Sequence, residues 1–140
     1  MSILQYNIIV VCIARYLRGL VMIPSQMLKG MLEGCILEII RKKETYAYEI
    51  SEQLEKYGFG AISEGTIYPI ILRLQKGEMI EATLRDSNSG PPRKYYHLTE
   101  KGIVALAQFK ENWQELEYAI NQLFMEVEEV EEGEGTVEEK

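Results

Sequence analysis

Residues 63–76 read Ser63-Glu64-Gly65-Thr66-Ile67-Tyr68-Pro69-Ile70-Ile71-Leu72-Arg73-Leu74-Gln75-Lys76, a run of hydroxyls and cations set among aliphatic residues. On a helix, Ile67, Ile70, Ile71 and Leu74 fall on one apolar stripe. The opposite face then carries Gly65, Tyr68, Pro69, Leu72 and Lys76, flanked by Thr66 and Arg73. The Tyr68 and Thr66 hydroxyls, Arg73 and Lys76 can hydrogen-bond phosphate oxygens or base edges, and Gly65 allows a close backbone approach. Ser63, at the start of the run, is grouped with them. A second cluster lies downstream, where Arg85 and the pair Arg93-Lys94 bracket the turn-rich stretch Asp86-Ser87-Asn88-Ser89-Gly90-Pro91-Pro92. Cations at the base of a hairpin are suited to a phosphate backbone or a minor groove. The plainer alternative for both clusters is a solvated helix face and a surface pair of cations.

Catalytic chemistry has less to work with. The single histidine, His97, stands in an alternating strand with no evident partner, and no phosphate-binding loop, serine elbow or HExxH motif is present. Cys12 and Cys35 lack CxxC spacing and sit in apolar surroundings, so neither a zinc site nor a disulfide framework is expected. The sequence reading is therefore of a protein with no catalytic residues, no metal and no cofactor, kept in a reducing cytoplasm.

The elements that would hold the two clusters can be read from periodicity. After Pro24, with Ser25 as cap, apolar residues at Leu28, Met31, Leu32, Cys35, Ile36, Ile39 and Ile40 predict one helix ending at Arg41-Lys42-Lys43. Thr45 is placed to cap a second helix with Ala47, Ile50, Leu54 and Tyr57 inside and Gly58 as the stop. The loop 59–62 leads to the third helix, whose regular part Pro69 argues should begin nearer Thr66 than Ser63, with Gly77 closing it. Two strands follow, over residues 80–85 and 93–98, the second alternating Arg93, Tyr95, His97 with Lys94, Tyr96, Leu98. Three short helices and a two-stranded hairpin are the parts of a winged helix-turn-helix, a mainly α fold of α+β type.

From the cap Thr99 onward, Leu106, Phe109, Trp113, Leu116, Ile120, Leu123, Val127 and Val130 recur in alternating steps of three and four. A seven-residue repeat held this long asks for a partner helix, so these residues are expected to form the seam of a homodimer. The competing reading is a helix folded back on its own domain. The expected organisation is an N-terminal extension over residues 1–24, a winged-helix domain over 25–98, a dimerisation helix over 99–130 and a disordered acidic tail over 131–140.

Net charge is −7 over 140 residues, which at first argues against a polyanionic partner. Residues 126–140, however, hold eight of the twenty-two acids and one of the fifteen bases, so residues 1–125 carry fourteen of each. A neutral body binds nucleic acid only if its bases share one face, which makes their placement decisive. The apolar run from Ile8 to Ala14 is interrupted by Arg15 and Arg18 and falls short of the ~20 residues of a spanning helix, so no stable membrane association is expected.

The same residues carry a family resemblance. Gly65-Thr66-Ile67-Tyr68-Pro69, continuing through Leu72, Arg73, Leu74 and Gly77, resembles the recognition helix of the PadR family of bacterial repressors. Gly90-Pro91-Pro92-Arg93-Lys94-Tyr95-Tyr96 followed by Leu98-Thr99-Glu100-Lys101-Gly102 resembles that family's wing and the start of its last helix. Upstream, Leu28-Lys29-Gly30, Leu32-Glu33-Gly34 and Tyr48-Glu49-Ile50 are similar to its first two helices. The resemblance implies a dimer joined through the C-terminal helix that binds a palindromic operator on double-stranded DNA, usually to repress. It implies DNA-facing roles for Thr66, Tyr68, Arg73, Arg93 and Lys94, and a backbone contact for Tyr48. In some multidrug-sensing relatives a tryptophan of the dimerisation helix stacks on flat drugs, so Trp113 is a candidate effector contact for a small hydrophobic or aromatic ligand as well as a seam residue. Residues 1–21 precede the point where family members commonly begin. The rival function is a winged-helix adaptor that holds another protein through its coiled coil and acidic tail without binding DNA.

Overall fold

The computed structural model describes residues 2–18 and 23–138, with the side chains of residues 15–18 and 126–138 outside that description. The chain divides into two units, one spanning residues 19–109 and the other residues 1–18 with 110–140. The element order is α1 (Ile3–Arg18), α2 (Ser25–Leu28), α3 (Leu32–Lys42), α4 (Ala47–Lys56), α5 (Glu64–Lys76), β1 (Ile80–Ser87), β2 (Gly90–Leu98) and α6 (Glu100–Glu138). Three helices followed by a two-stranded antiparallel wing reproduce the architecture read from the sequence.

The core of the 19–109 unit is built from the faces that the periodicity predicts. Ile36 and Ile40 of α3, Ile50 and Leu54 of α4, and Ile67, Ile70, Ile71 and Leu74 of α5 are all buried, together with Leu37, which the expected stripe of α3 did not include, and Ile80 and Tyr96 of the wing. Each large aliphatic side chain so buried contributes about 1.5–3 kcal/mol. Tyr57 is the exception on α4: it is exposed, and Lys42 Nζ stands 5.1 Å from its ring centroid.

Four local expectations are corrected. The helix expected from Ser25 is two helices, because Gly30 takes φ +90°, a left-handed conformation that breaks the ladder after Lys29; its N-cap is Pro24. Thr45 does not cap α4: Tyr46 holds the N-cap position, and Thr45 is buried, its backbone bridging Tyr96 of β2. Helix α5 begins at Glu64 rather than near Thr66. The Ser63 hydroxyl accepts from the Thr66 amide at 3.3 Å, and the N–H missing at Pro69 lies on an exposed face. The wing strands are longer than expected and turn at Asn88-Ser89, with Pro91 and Pro92 inside β2. The register shifts where these prolines oppose Asp86, so the residues that cannot donate occupy a bulge.

Helix α6 is joined to the body over its first turns. Leu106 is buried in the core, and the ring of Phe109 lies so close to Gly34 of α3 that a Cβ there would stand 2.2 Å from its carbons. Leu106 and Phe109, expected in the seam, thus pack against their own domain instead. Helix α6 also runs to Glu138, past the expected end at Val130, because glutamate is a good helix former and only Gly133 and Gly135 oppose it. In the other unit, Trp113, Leu116, Ile120 and Leu123 of α6 are exposed, as are Ile3, Leu4, Ile8 and Val11 of α1. The side chain of Val127 lies outside the described residues. Among the described residues no helix is long and apolar enough to cross a membrane.

Candidate nucleic-acid interface

The recognition surface is organised by α5, whose buried stripe fixes which residues face outward. Tyr68, Leu72 and Gln75 project from one flank toward the wing. Arg93 and Lys94 come from β2, placed there by its pairing with β1, in which Arg93 opposes Arg85 and Lys94 opposes Leu84. Tyr48 and Tyr46 come from the start of α4. Together they line a hollow of about 440 Å³ between α5 and the wing. Four residues singled out from the sequence, Tyr48, Tyr68, Arg93 and Lys94, thus meet at one surface.

The other sequence candidates lie elsewhere. Ser63, Thr66 and Arg73 are on the opposite flank of α5, lining a separate hollow of about 620 Å³ with Glu33 and Pro24. The Ser63 hydroxyl is engaged in capping α5 and stands 3.2 Å from Thr66 Oγ1. Arg73 Nε donates to Glu33 Oε1 at 2.9 Å, across forty residues of sequence. Lys76 is exposed in the last turn of α5. Trp113 belongs to the other unit and is 44% exposed.

The cations of the hollow differ from those around it. Arg41, Lys43, Arg73 and Arg85 each form an ion pair with a carboxylate, whereas among the described residues none lies within ion-pair distance of Arg93 or Lys94. Glu64 is the acidic residue of the lining and sits at the N-terminal end of α5, where the helix dipole favours it. Glu52 raises the phenol pKa of Tyr48 above its ordinary value, by its charge first and by a hydrogen bond second. Burial, then the nearby Tyr68, raises that of Tyr96 beneath the floor. The hollow therefore offers phenols and two uncompensated cations, a combination suited to phosphate oxygens.

The support behind this surface was not visible as such in the sequence. Thr45 Oγ1 donates to Glu49 Oε2 at 2.6 Å, and Lys43 Nζ donates to Glu49 Oε1 at 3.0 Å. The Thr45 hydroxyl chiefly, with Lys43 assisting against partial burial, holds the Glu49 carboxyl below its ordinary pKa. This anchors the segment that bridges Tyr96, and so ties α4 to the wing. Tyr46 and Tyr95 were also missed as partners. The signal was the i, i+2 spacing of Arg93 and Tyr95, which puts both on one strand face.

Comparisons with known proteins agree with the geometry. Residues 36–108 match the profile of the "Transcriptional regulator PadR-like family". A PadR-like transcriptional regulator of Bacillus cereus is 54% identical, with a TM-score of 0.65 over 71% of this chain and 96% of that one. A Streptococcus transcriptional regulator is 40% identical, with a TM-score of 0.64 over 70% and 96% of the respective chains. Bacillus subtilis PadR, in a structure with operator DNA, is 25% identical, with a TM-score of 0.51 over 56% of this chain and 45% of that one.

Proposed function

Because the chain belongs to the PadR-like family of transcriptional regulators, a family of non-enzymatic DNA-binding proteins, we propose that it is a homodimeric repressor of a palindromic operator. The observation that carries this reading is the convergence of Tyr48, Tyr68, Arg93 and Lys94 on one hollow beside the recognition helix, with neither cation in an ion pair among the described residues. In this reading α5 enters the major groove with Gly65, Tyr68, Leu72 and Lys76 toward the bases. Arg93 and Lys94 hold the adjacent phosphates, and Tyr48 contributes a backbone contact. Thr66 and Arg73 reach the strand on the far flank, Arg73 exchanging Glu33 for a phosphate.

Dimerisation rests on Trp113, Leu116, Ile120 and Leu123, large apolar residues exposed on one helix at seam spacing. Two copies related by a two-fold axis present two recognition helices to half-sites about one helical turn, ~34 Å, apart. A flat aromatic effector lodged beside Trp113 at that seam would release DNA by favouring a second arrangement of the two subunits. Tryptophan quenching by planar aromatic compounds checks this, and a flat response across such a panel counts against it.

The test is a gel shift of the purified protein on its own promoter fragment and on random duplex, with Tyr68→Ala and Arg93→Ala alongside. Selective binding that both substitutions weaken is expected. Binding no tighter to the promoter than to random DNA, and indifferent to both substitutions, would favour the adaptor reading.

A further inference from the structure

The two arginines that flank the wing are direct cross-strand partners, Arg85 on β1 opposite Arg93 on β2. Like charges in that position repel, yet both are retained on the same face. Each guanidinium rests on a different aromatic ring. The guanidinium carbon of Arg93 lies 4.6 Å from the ring centroid of Tyr46, and that of Arg85 lies 4.6 Å from the ring of Tyr95. The two rings are themselves 5.3 Å apart and tilted by 59°. The contacts therefore run Arg85, Tyr95, Tyr46, Arg93, a tilted stack with a cation at each end of the contact chain.

Its two ends differ. Arg85 Nη2 donates to the carboxylate of Glu44, in the segment that leads to Tyr46. Arg93 has no such partner among the described residues, and it lines the hollow beside α5 with Tyr46. From this asymmetry we infer that the stack sorts the two wing arginines for DNA. Tyr46 is a positioning residue that holds the Arg93 guanidinium ready for phosphate, and Glu44 is a specificity-determining residue that keeps Arg85 from contributing a second, sequence-blind contact. The inference rests on the DNA-binding reading above and adds to it the division of labour within the wing.

The physical reasons are ordinary. A guanidinium resting on an aromatic face loses less rotamer freedom when it meets a phosphate, and the planar group can stay on the ring while its N–H edges bond outward. An arginine engaged by a carboxylate must break that pair before it can displace a counterion, so it adds little to non-specific binding.

Binding to operator and random duplex, measured by fluorescence anisotropy over a range of salt, tests both roles in the full-length chain. Tyr46→Leu should weaken operator binding roughly two- to fivefold, and Tyr46→Phe, which keeps the ring, should bind as the parent does. Glu44→Gln should strengthen binding to random duplex and steepen its salt dependence by about one phosphate contact, narrowing the preference for operator. In the free protein, the δ-methylene protons of Arg93 should show an aromatic ring-current shift by NMR, lost in Tyr46→Leu and kept in Tyr46→Phe. Parental affinity in Tyr46→Leu, an equal loss in Tyr46→Phe, or unchanged random binding in Glu44→Gln would each overturn the role assigned to that residue. If the parent binds no duplex while the ring-current shift is present, the function proposed above fails and takes these roles with it. If the parent binds and the variants are indifferent, only this inference fails.

Discussion

At the scale of single residues, what a cation can do for DNA depends on what already holds it. Arg73 lies on α5 and Arg93 beside it, but Arg73 is paired with Glu33, whereas among the described residues Arg93 rests on a ring without an ion pair. Replacing Arg93 removes a free phosphate ligand, whereas replacing Arg73 also removes a competing carboxylate interaction. Arg93→Ala should therefore cost more operator affinity than Arg73→Ala and lower the salt slope by about one, which anisotropy titrations of the two variants will rank. Glu49 makes a prediction of a different kind. Its pKa is depressed in the folded state, so the stability it contributes is present above the unfolded value, about 4.3, and is lost as pH falls through the lower folded value. Acid unfolding followed by circular dichroism should show a shallower loss across that window in Glu49→Gln than in the parent. Much of the site was legible at this scale: Tyr68, Arg93 and Lys94 stood out by type and spacing. Arg73 and Glu33 lie forty residues apart, and no local pattern announces a pair that only the packing of α3 against α5 creates.

At the scale of elements, two glycines determine how α6 meets the rest of its unit. Gly34 faces the ring of Phe109, and a Cβ on Gly102 would stand 2.0 Å from the carbonyl oxygen of Met79. That carbonyl also accepts from the Thr99 amide, while the Thr99 hydroxyl donates to Glu78, a residue at φ +60°, so the turn after α5 and the first turn of α6 share hydrogen bonds. Gly34→Ala and Gly102→Ala should each destabilise by about 1–3 kcal/mol. Gly102→Ala should be the worse, because a backbone oxygen cannot rotate away as a ring can. Urea denaturation should show a lower midpoint with an unchanged slope. Helix existence was readable here because aliphatic periodicity reports burial directly. The boundaries were not, since Gly30 breaks a continuous apolar pattern and Ser63 holds a helix start that Pro69 argues against. The heptad was the most instructive signal. Period alone does not say what a face meets, and the first two positions, Leu106 and Phe109, meet their own domain.

At the scale of the whole molecule, the acidic net charge and a DNA partner are compatible because the excess acid is C-terminal and the bases are local. Sequence counting showed the neutrality of residues 1–125; only the fold shows that Arg41, Arg73 and Arg85 are paired internally and that, among the described residues, Arg93 and Lys94 have no ion-pair partner. The exposed face of Trp113, Leu116, Ile120 and Leu123 carries the dimer prediction. Leu116→Glu with Ile120→Glu should convert a dimer to monomers by sedimentation equilibrium without unfolding the 19–109 unit, whose core contains neither residue. Because avidity comes from two half-sites, the same variant should lose most of its operator affinity while keeping weak binding to a single half-site.

A protein that grips duplex DNA through cations beside a recognition helix must show it in the salt dependence of binding. The equilibrium constant for the promoter fragment, measured between about 50 and 200 mM salt, should fall by orders of magnitude along a straight line in log-log form, as release of several counterions requires. A constant that stays flat across that range, or binding that vanishes on duplex while persisting on another protein, would contradict it.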